Sequence, residues 1–210
     1  IPQLHMGSWY DSYTRTTCDN YTALSRQKTG PVRLLMGPWT HGQHSASYAG
    51  EVDFGPASTL DGNLAEDYND FLLMWFDAWL KELDNGVAED PPVRIFVMGG
   101  GDGQRNAQGR LNHGGTWRYE LGWPLTRTRY TNYFLHADGS LTTQAPTTSV
   151  PPSLYQFDPE YPVPTIGGNL SSGPGILEPG AYHQQERPDK YGSRKPYLPI
   201  SSRHDVLVFE

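Results

Sequence analysis

The sequence predicts two kinds of structure in succession: an α/β portion over residues 1–90 and an all-β portion over residues 91–210. Three observations carry that expectation. Two short apolar runs bracket a helical spacing within the first 40 residues, the size of a βαβ unit. Beyond Pro92, strand-like runs alternate with turn residues and no helical periodicity is evident. Glycine and proline number 23 and 18, so loops are many and an all-helical bundle is disfavoured.

Ile1–Met6 is an apolar run closed by Gly7, the pattern of a buried strand. Thr17–Gln27 has roughly helical spacing and stops before Lys28-Thr29-Gly30. Val32–Met36 is the second apolar run, closed by Gly37-Pro38. A right-handed βαβ crossover puts the C-terminal ends of both strands on one sheet edge. Asp11 and His41 then fall on neighbouring loops, at the edge where open α/β sheets bind ligands.

Leu64–Leu83 carries the strongest helical pattern, with apolar residues at three- and four-residue steps. Asp61 or Asn63 is its expected cap and Asn85-Gly86 its left-handed stop. Its aromatic stripe reads as core rather than as a ligand platform. Ala88–Pro92 reads as a linker. VRIFVMG (Val93–Gly99) is then a strand, and YTNYFLHADGSL (Tyr130–Leu141) a hairpin turning on Asp138-Gly139. SLYQFDP, a Pro/Gly-rich stretch and DVLVF complete the texture of a β-sandwich or jelly roll.

Composition narrows the function classes. The formal charge is −7 with no sizeable Lys/Arg cluster, which argues against a nucleic-acid partner. Cys18 is alone, so no internal disulfide framework exists, and a reducing, cytoplasmic setting is the expectation. No segment is long and apolar enough to span a bilayer, and no membrane partner is expected. Gly99-Gly100-Gly101-Asp102-Gly103 lacks the Lys-Ser/Thr of a phosphate loop. The chain opens on IPQLHMG and closes on HDVLVFE, both strand-like, and so reads as cut at each end.

Two roles of a hydrolytic site are visible. A histidine takes and returns protons near neutral pH, and a carboxylate beside it fixes its tautomer and stabilises the imidazolium. Asp11 and His41 have the chain order of the acid and base in α/β-hydrolases, where the nucleophile lies upstream on a G-x-S-x-G elbow. That pentapeptide does not occur in these 210 residues. The residues alone leave open a second reading, a structural histidine with a satisfied partner. His41 and His44 with Asp53 lack the fixed helical spacing of a metal site, and no metal is expected. Trp117, Trp123 and Tyr130 offer the alternative of a non-catalytic β-sandwich binding module, against which interdomain or core packing competes.

An ordered set of segments resembles the CocE/NonD hydrolases, serine acyl hydrolases related to X-Pro dipeptidyl-peptidases. The segments are GSWYDSY (Gly7–Tyr13), RLLMGPWTHG (Arg33–Gly42), VDFG (Val52–Gly55), FDAWLKELDNG (Phe76–Gly86), PPVRIFVMG (Pro91–Gly99), WRYELGWP (Trp117–Pro124), YFLHADGSL (Tyr133–Leu141), FDPEYPVPTIGG (Phe157–Gly168) and RHDVLVF (Arg203–Phe209). The resemblance implies that residues 1–90 are the C-terminal portion of an α/β-hydrolase domain and residues 91–210 the start of an incomplete jelly roll. It assigns the catalytic acid to Asp11 and the base to His41, with Trp9, Tyr10 and Trp39 as possible lining of the site. Ser8 stands where the family often has glycine. The nucleophile, the oxyanion hole and the cap would precede Ile1. The implied substrates are small esters or amides, or short peptides if the chain is an X-Pro dipeptidyl-peptidase with the same catalytic residues. No cofactor is implied. The expected partner is the remainder of the same protein or a second copy of it.

Overall fold

The computed structural model describes residues 1–27, 30–170 and 176–210. The expected helix stop at Lys28-Thr29 and part of the Pro/Gly-rich stretch, residues 171–175, lie outside the described residues. The fold is mixed α/β, with sheets and few helices. Contact density divides the chain into two units, residues 1–126 with 167–182, and residues 127–166 with 183–210. The compositional break near Asp90 falls inside the first unit.

In the first unit the order is β1 (Gln3–Tyr10), α1 (Thr14–Gln27) and β2 (Val32–Thr40). After these come the short strands β3 (Tyr48–Ala49) and β4 (Val52–Asp53), then α2 (Tyr68–Leu80) and β5 (Val93–Met98). β6 (Leu111–Asn112) and β7 (Gly115–Glu120) follow. The main sheet has the order β1-β2-β5-β7. β1, β2 and β5 are parallel and β7 is antiparallel.

β2 is central and buried along most of its length, which is why it reads as a continuous apolar run rather than an alternating one. Tyr21 of α1 packs with Val32, Leu34 and Met36 of β2 and Val93 and Ile95 of β5 in one cluster. Phe96 packs with Ala49, Val52 and Phe54 in a second. Gly7 allows α1 to close on β1, since a Cβ there would meet Met36 Sδ and the Thr17 side chain at 3.0 Å.

The long helix differs from its expectation at both ends and along its face. It begins at Tyr68 because Asp67, not Asp61 or Asn63, caps it, accepting from Asp70 N–H at 2.9 Å. It stops at Leu80, ahead of Glu82 in left-handed conformation (φ 57°), while Gly86 opens a 3-10 turn further on. No residue of α2 is fully buried, and Leu73, Phe76 and Leu80 are exposed, so the stripe is only partly core. Periodicity fixes which residues share a helix face, but not how much surface covers that face.

In the second unit the hairpin forms as β8 (Phe134–Leu135) and β9 (Leu141–Thr142), with Gly139 at φ 84°. The SLYQFDP and DVLVF segments are not strands among the described residues. The terminal Glu210 nonetheless exchanges backbone hydrogen bonds with the hairpin, donating to Gly139 O at 3.0 Å and accepting from Leu141 N–H at 2.8 Å. Arg203, with only 7% of its side chain exposed, ties this unit together. It is bidentate to Asp205 at 2.8 Å on each arm, donates to Tyr161 O at 2.8 Å, and lies 4.0 Å over the Tyr161 ring.

Candidate functional site

The parallel pairing of β1 with β2 runs in register from Gln3↔Val32 to Ser8↔Gly37, then breaks, so that Tyr10 pairs with Thr40. Three residues of β2 span the space of two on β1. The extra length coincides with Pro38, which has no N–H to offer a ladder. The bulge moves the end of β2 forward by one residue and sets His41 opposite Asp11. Gly37 makes room for it, because the Trp39 indole folds back over the position a Cβ would occupy.

Asp11 is nearly buried, with its side chain 8% exposed, whereas the His41 side chain is 55% exposed. His41 Nδ1 lies 2.9 Å from Asp11 Oδ2. An ionised carboxylate only accepts, so Nδ1–H is the donor and Nε2 is left as the basic nitrogen. The other carboxylate oxygen, Oδ1, accepts from Tyr13 N–H at 2.9 Å. That contact is an Asx turn, a local geometry that Asp forms readily two residues ahead of an amide. Thr14 locks the same turn, its hydroxyl lying 2.6 Å from Ser8 O and 2.5 Å from Asp11 O, and receives Asn169 Nδ2 at 3.2 Å. Tyr13 also places its ring 5.5 Å from the His41 ring. The D-x-Y spacing at Asp11–Tyr13 was a legible signal for this amide; the Asn169 contact, 155 residues away, had none.

The three aromatic residues named as possible lining are placed differently from one another. Trp39 is fully buried and donates from Nε1 to Ser58 O at 2.9 Å. Trp9 donates to Phe96 O at 2.8 Å and packs on Trp123, ring centroids 5.8 Å apart. Tyr10 is half-buried, with its hydroxyl 3.7 Å from Met98 Sδ. Two of the three platform residues of the binding-module alternative are also engaged. Trp117 donates to Ala57 O at 2.9 Å and packs on Trp39, and Trp123 lies against Trp9, while Tyr130 is exposed.

His44 and Asp53 do not join His41. The Asp53 carboxylate accepts from Gly55 N–H and Asn106 Nδ2, and the His44 ring stacks on Tyr68. Among the described residues no cluster of three metal-ligating side chains forms. No helix of the described residues is long and apolar enough to cross a membrane.

Comparison with known families agrees with the ordered segments. The profile of the X-Pro dipeptidyl-peptidase C-terminal non-catalytic domain matches residues 85–210, more than half of the chain, and that of the X-Pro dipeptidyl-peptidase (S15 family) matches residues 1–43. This chain belongs to the X-Pro dipeptidyl-peptidase and CocE/NonD hydrolase family. Cocaine esterase of Rhodococcus sp. (strain MB1 Bresler) is 28% identical over 216 residues, covering 99% of this chain and 32% of the esterase. This member of the family thus spans about a third of that relative's length. Among solved structures, an aminopeptidase from a marine sediment Thaumarchaeota archaeon is 20% identical over 71% of this chain and 22% of its own, with a TM-score of 0.49. A CocE/NonD family hydrolase from Staphylococcus aureus is 19% identical over 69% of this chain and 21% of its own, with a TM-score of 0.42.

Proposed function

We propose that Asp11 and His41 are the acid and base of a Ser-His-Asp triad that hydrolyses ester or amide bonds, with the serine contributed from upstream of these residues. The observation that carries this reading is the 2.9 Å contact between His41 Nδ1 and Asp11 Oδ2, with the imidazole exposed beyond it. The buried carboxylate fixes the tautomer, so Nε2 takes the serine proton as the hydroxyl attacks an acyl carbonyl. The Asp11 charge stabilises the imidazolium formed. His41 then protonates the leaving alcohol or amine, and the same two residues activate water against the acyl-enzyme.

Residues 1–90 are in this reading the C-terminal portion of the α/β-hydrolase domain, and residues 91–210 begin the jelly roll. A cytoplasmic location fits the single cysteine. The family profiles also favour a second substrate class, peptides cleaved after an X-Pro pair by the same residues. The test is turnover of an activated ester and of an X-Pro anilide by the whole protein and its His41→Ala form. Loss of several orders of magnitude in kcat, with KM comparatively unchanged, is expected on whichever substrate is turned over. Near-normal turnover by His41→Ala would overturn the assignment.

A further inference from the structure

We propose that His44 is a positioning residue for His41: its ring, wedged between Trp39 and Tyr68, clamps the turn that delivers His41 to Asp11. Trp39 is the fixed wall of this wedge, fully buried and tied through Nε1 to Ser58 O at 2.9 Å. His44 meets it edge-on, with ring centroids 5.2 Å apart and an interplanar angle of 82°. On its other side Tyr68 stacks at 4.9 Å and 22°. Tyr68 is the first residue of α2, and the Asp67 cap fixes it there. The His44 main chain is held as well, its carbonyl accepting at 2.9 Å from the N–H of fully buried Leu60.

The turn has little else to stiffen it. Gln43 N–H reaches Thr40 O at 3.2 Å and Ala46 N–H reaches Gln43 O at 3.1 Å, both at the long end for such bonds. Gly42, at φ 73°, adds no side chain. His41 itself is more than half exposed, its ring meeting that of exposed Tyr13 at 5.5 Å. A three-ring stack one turn away therefore supplies the rigidity that a 2.9 Å contact to Asp11 needs.

Chemistry at His44 agrees with this role. Burial, the largest influence, holds its imidazole below the ordinary histidine value, and the His41 ring adds to that effect. Asp61, from the loop ahead of α2, and Asp11, from the end of β1, oppose it. Tyr68 faces the ring from α2. His44 is accordingly a neutral aromatic wedge at neutral pH, which a phenyl ring can imitate. The geometric part of the proposal stands on the stack alone; its catalytic consequence rests on the triad reading above.

The experiment compares His44→Ala, His44→Phe and His44→Gln in the whole protein. It reads the NMR resonance of the His41 Nδ1 proton bonded to Asp11, and kcat and KM on p-nitrophenyl acetate. His44→Ala and the ringless His44→Gln should broaden or lose the resonance and lower kcat about tenfold with KM little changed, as expected for loss of an aromatic pair that orients a base. His44→Phe should restore both, and His44→Gln serves if the alanine form does not fold. A sharp His41 resonance and unchanged kcat without the ring would overturn the proposal. Equal loss in His44→Phe would overturn it too, by showing that the imidazole nitrogens matter rather than the flat ring. A resonance that follows the ring, in a protein whose His41→Ala form keeps full turnover, would support the clamp and overturn the triad.

Discussion

The Trp39 indole lies directly over Gly37, in the space that a Cβ there would occupy. The two residues flank Pro38 at the bulge in β2, three positions before His41. An alanine at 37 must push the indole off its Ser58 contact or unmake the bulge. Gly37→Ala should cost about 1–3 kcal/mol, the usual range for an overpacked core. It should also weaken the His41–Asp11 bond. Chemical denaturation of both forms measures the first effect, and a mutant as stable as wild type would contradict this packing.

Asp11→Asn should leave the turn folded and still remove most activity. The amide oxygen can keep accepting from Tyr13 N–H, but its NH2 would then face Nδ1 and favour the wrong tautomer. The expected result is a drop in kcat of several orders of magnitude with little change in Tm. Activity within a few-fold of wild type would mean that the carboxylate does not orient His41.

Cys18 should be a slow thiol. Burial, with a smaller push from Asp19, raises its pKa to about 11, so the thiolate is scarce near neutrality. Alkylation by iodoacetamide should be far slower than for a free thiol at pH 8 and should quicken toward pH 11. A raised acid value also means that its stabilising contribution is present below the unfolded thiol value and is lost as pH climbs through the folded one. Rapid labelling of the native protein at pH 7 would contradict the environment described.

Acid should weaken the first unit through its histidines. Burial depresses both His5 and His44, so the folded state disfavours their charged forms. Depressed values give a contribution that is complete above the ordinary value of 6.5 and is lost as pH falls below it. Thermal midpoints recorded from pH 7 down to pH 5 should fall, and less steeply in His44→Phe. An identical slope in the two forms would remove His44 from the titration.

Arg203→Leu should be among the more destabilising single changes in the second unit. It strands the buried Asp205 carboxylate and takes a guanidinium from buried Glu186, which keeps the Tyr161 hydroxyl at 2.6 Å, and it leaves Arg194 as the cation over the Tyr161 ring. Arg203→Lys should recover only part of the loss, because a single ammonium cannot form the two parallel bonds to Asp205. A scanning calorimetry trace unchanged by Arg203→Leu would show that the cluster does not hold the unit.

Neighbours in the chain set the local elements and their order. Apolar runs, helical spacing and the handedness of a crossover brought Asp11 and His41 to one sheet edge, and Asp138-Gly139 turned the hairpin. Features that need a distant partner came only with the packed fold. It pulled Trp39 into the core, placed β5 beside β2, left the outer face of α2 open, and set Tyr68 against His44. Periodicity says which side chains share a face, whereas burial and ring stacking arise only when segments far apart in the chain compete for the same space. The bulge at Pro38 belongs to both: its proline is written in the sequence, but its consequence, one residue of advance toward Asp11, exists only once β1 lies alongside.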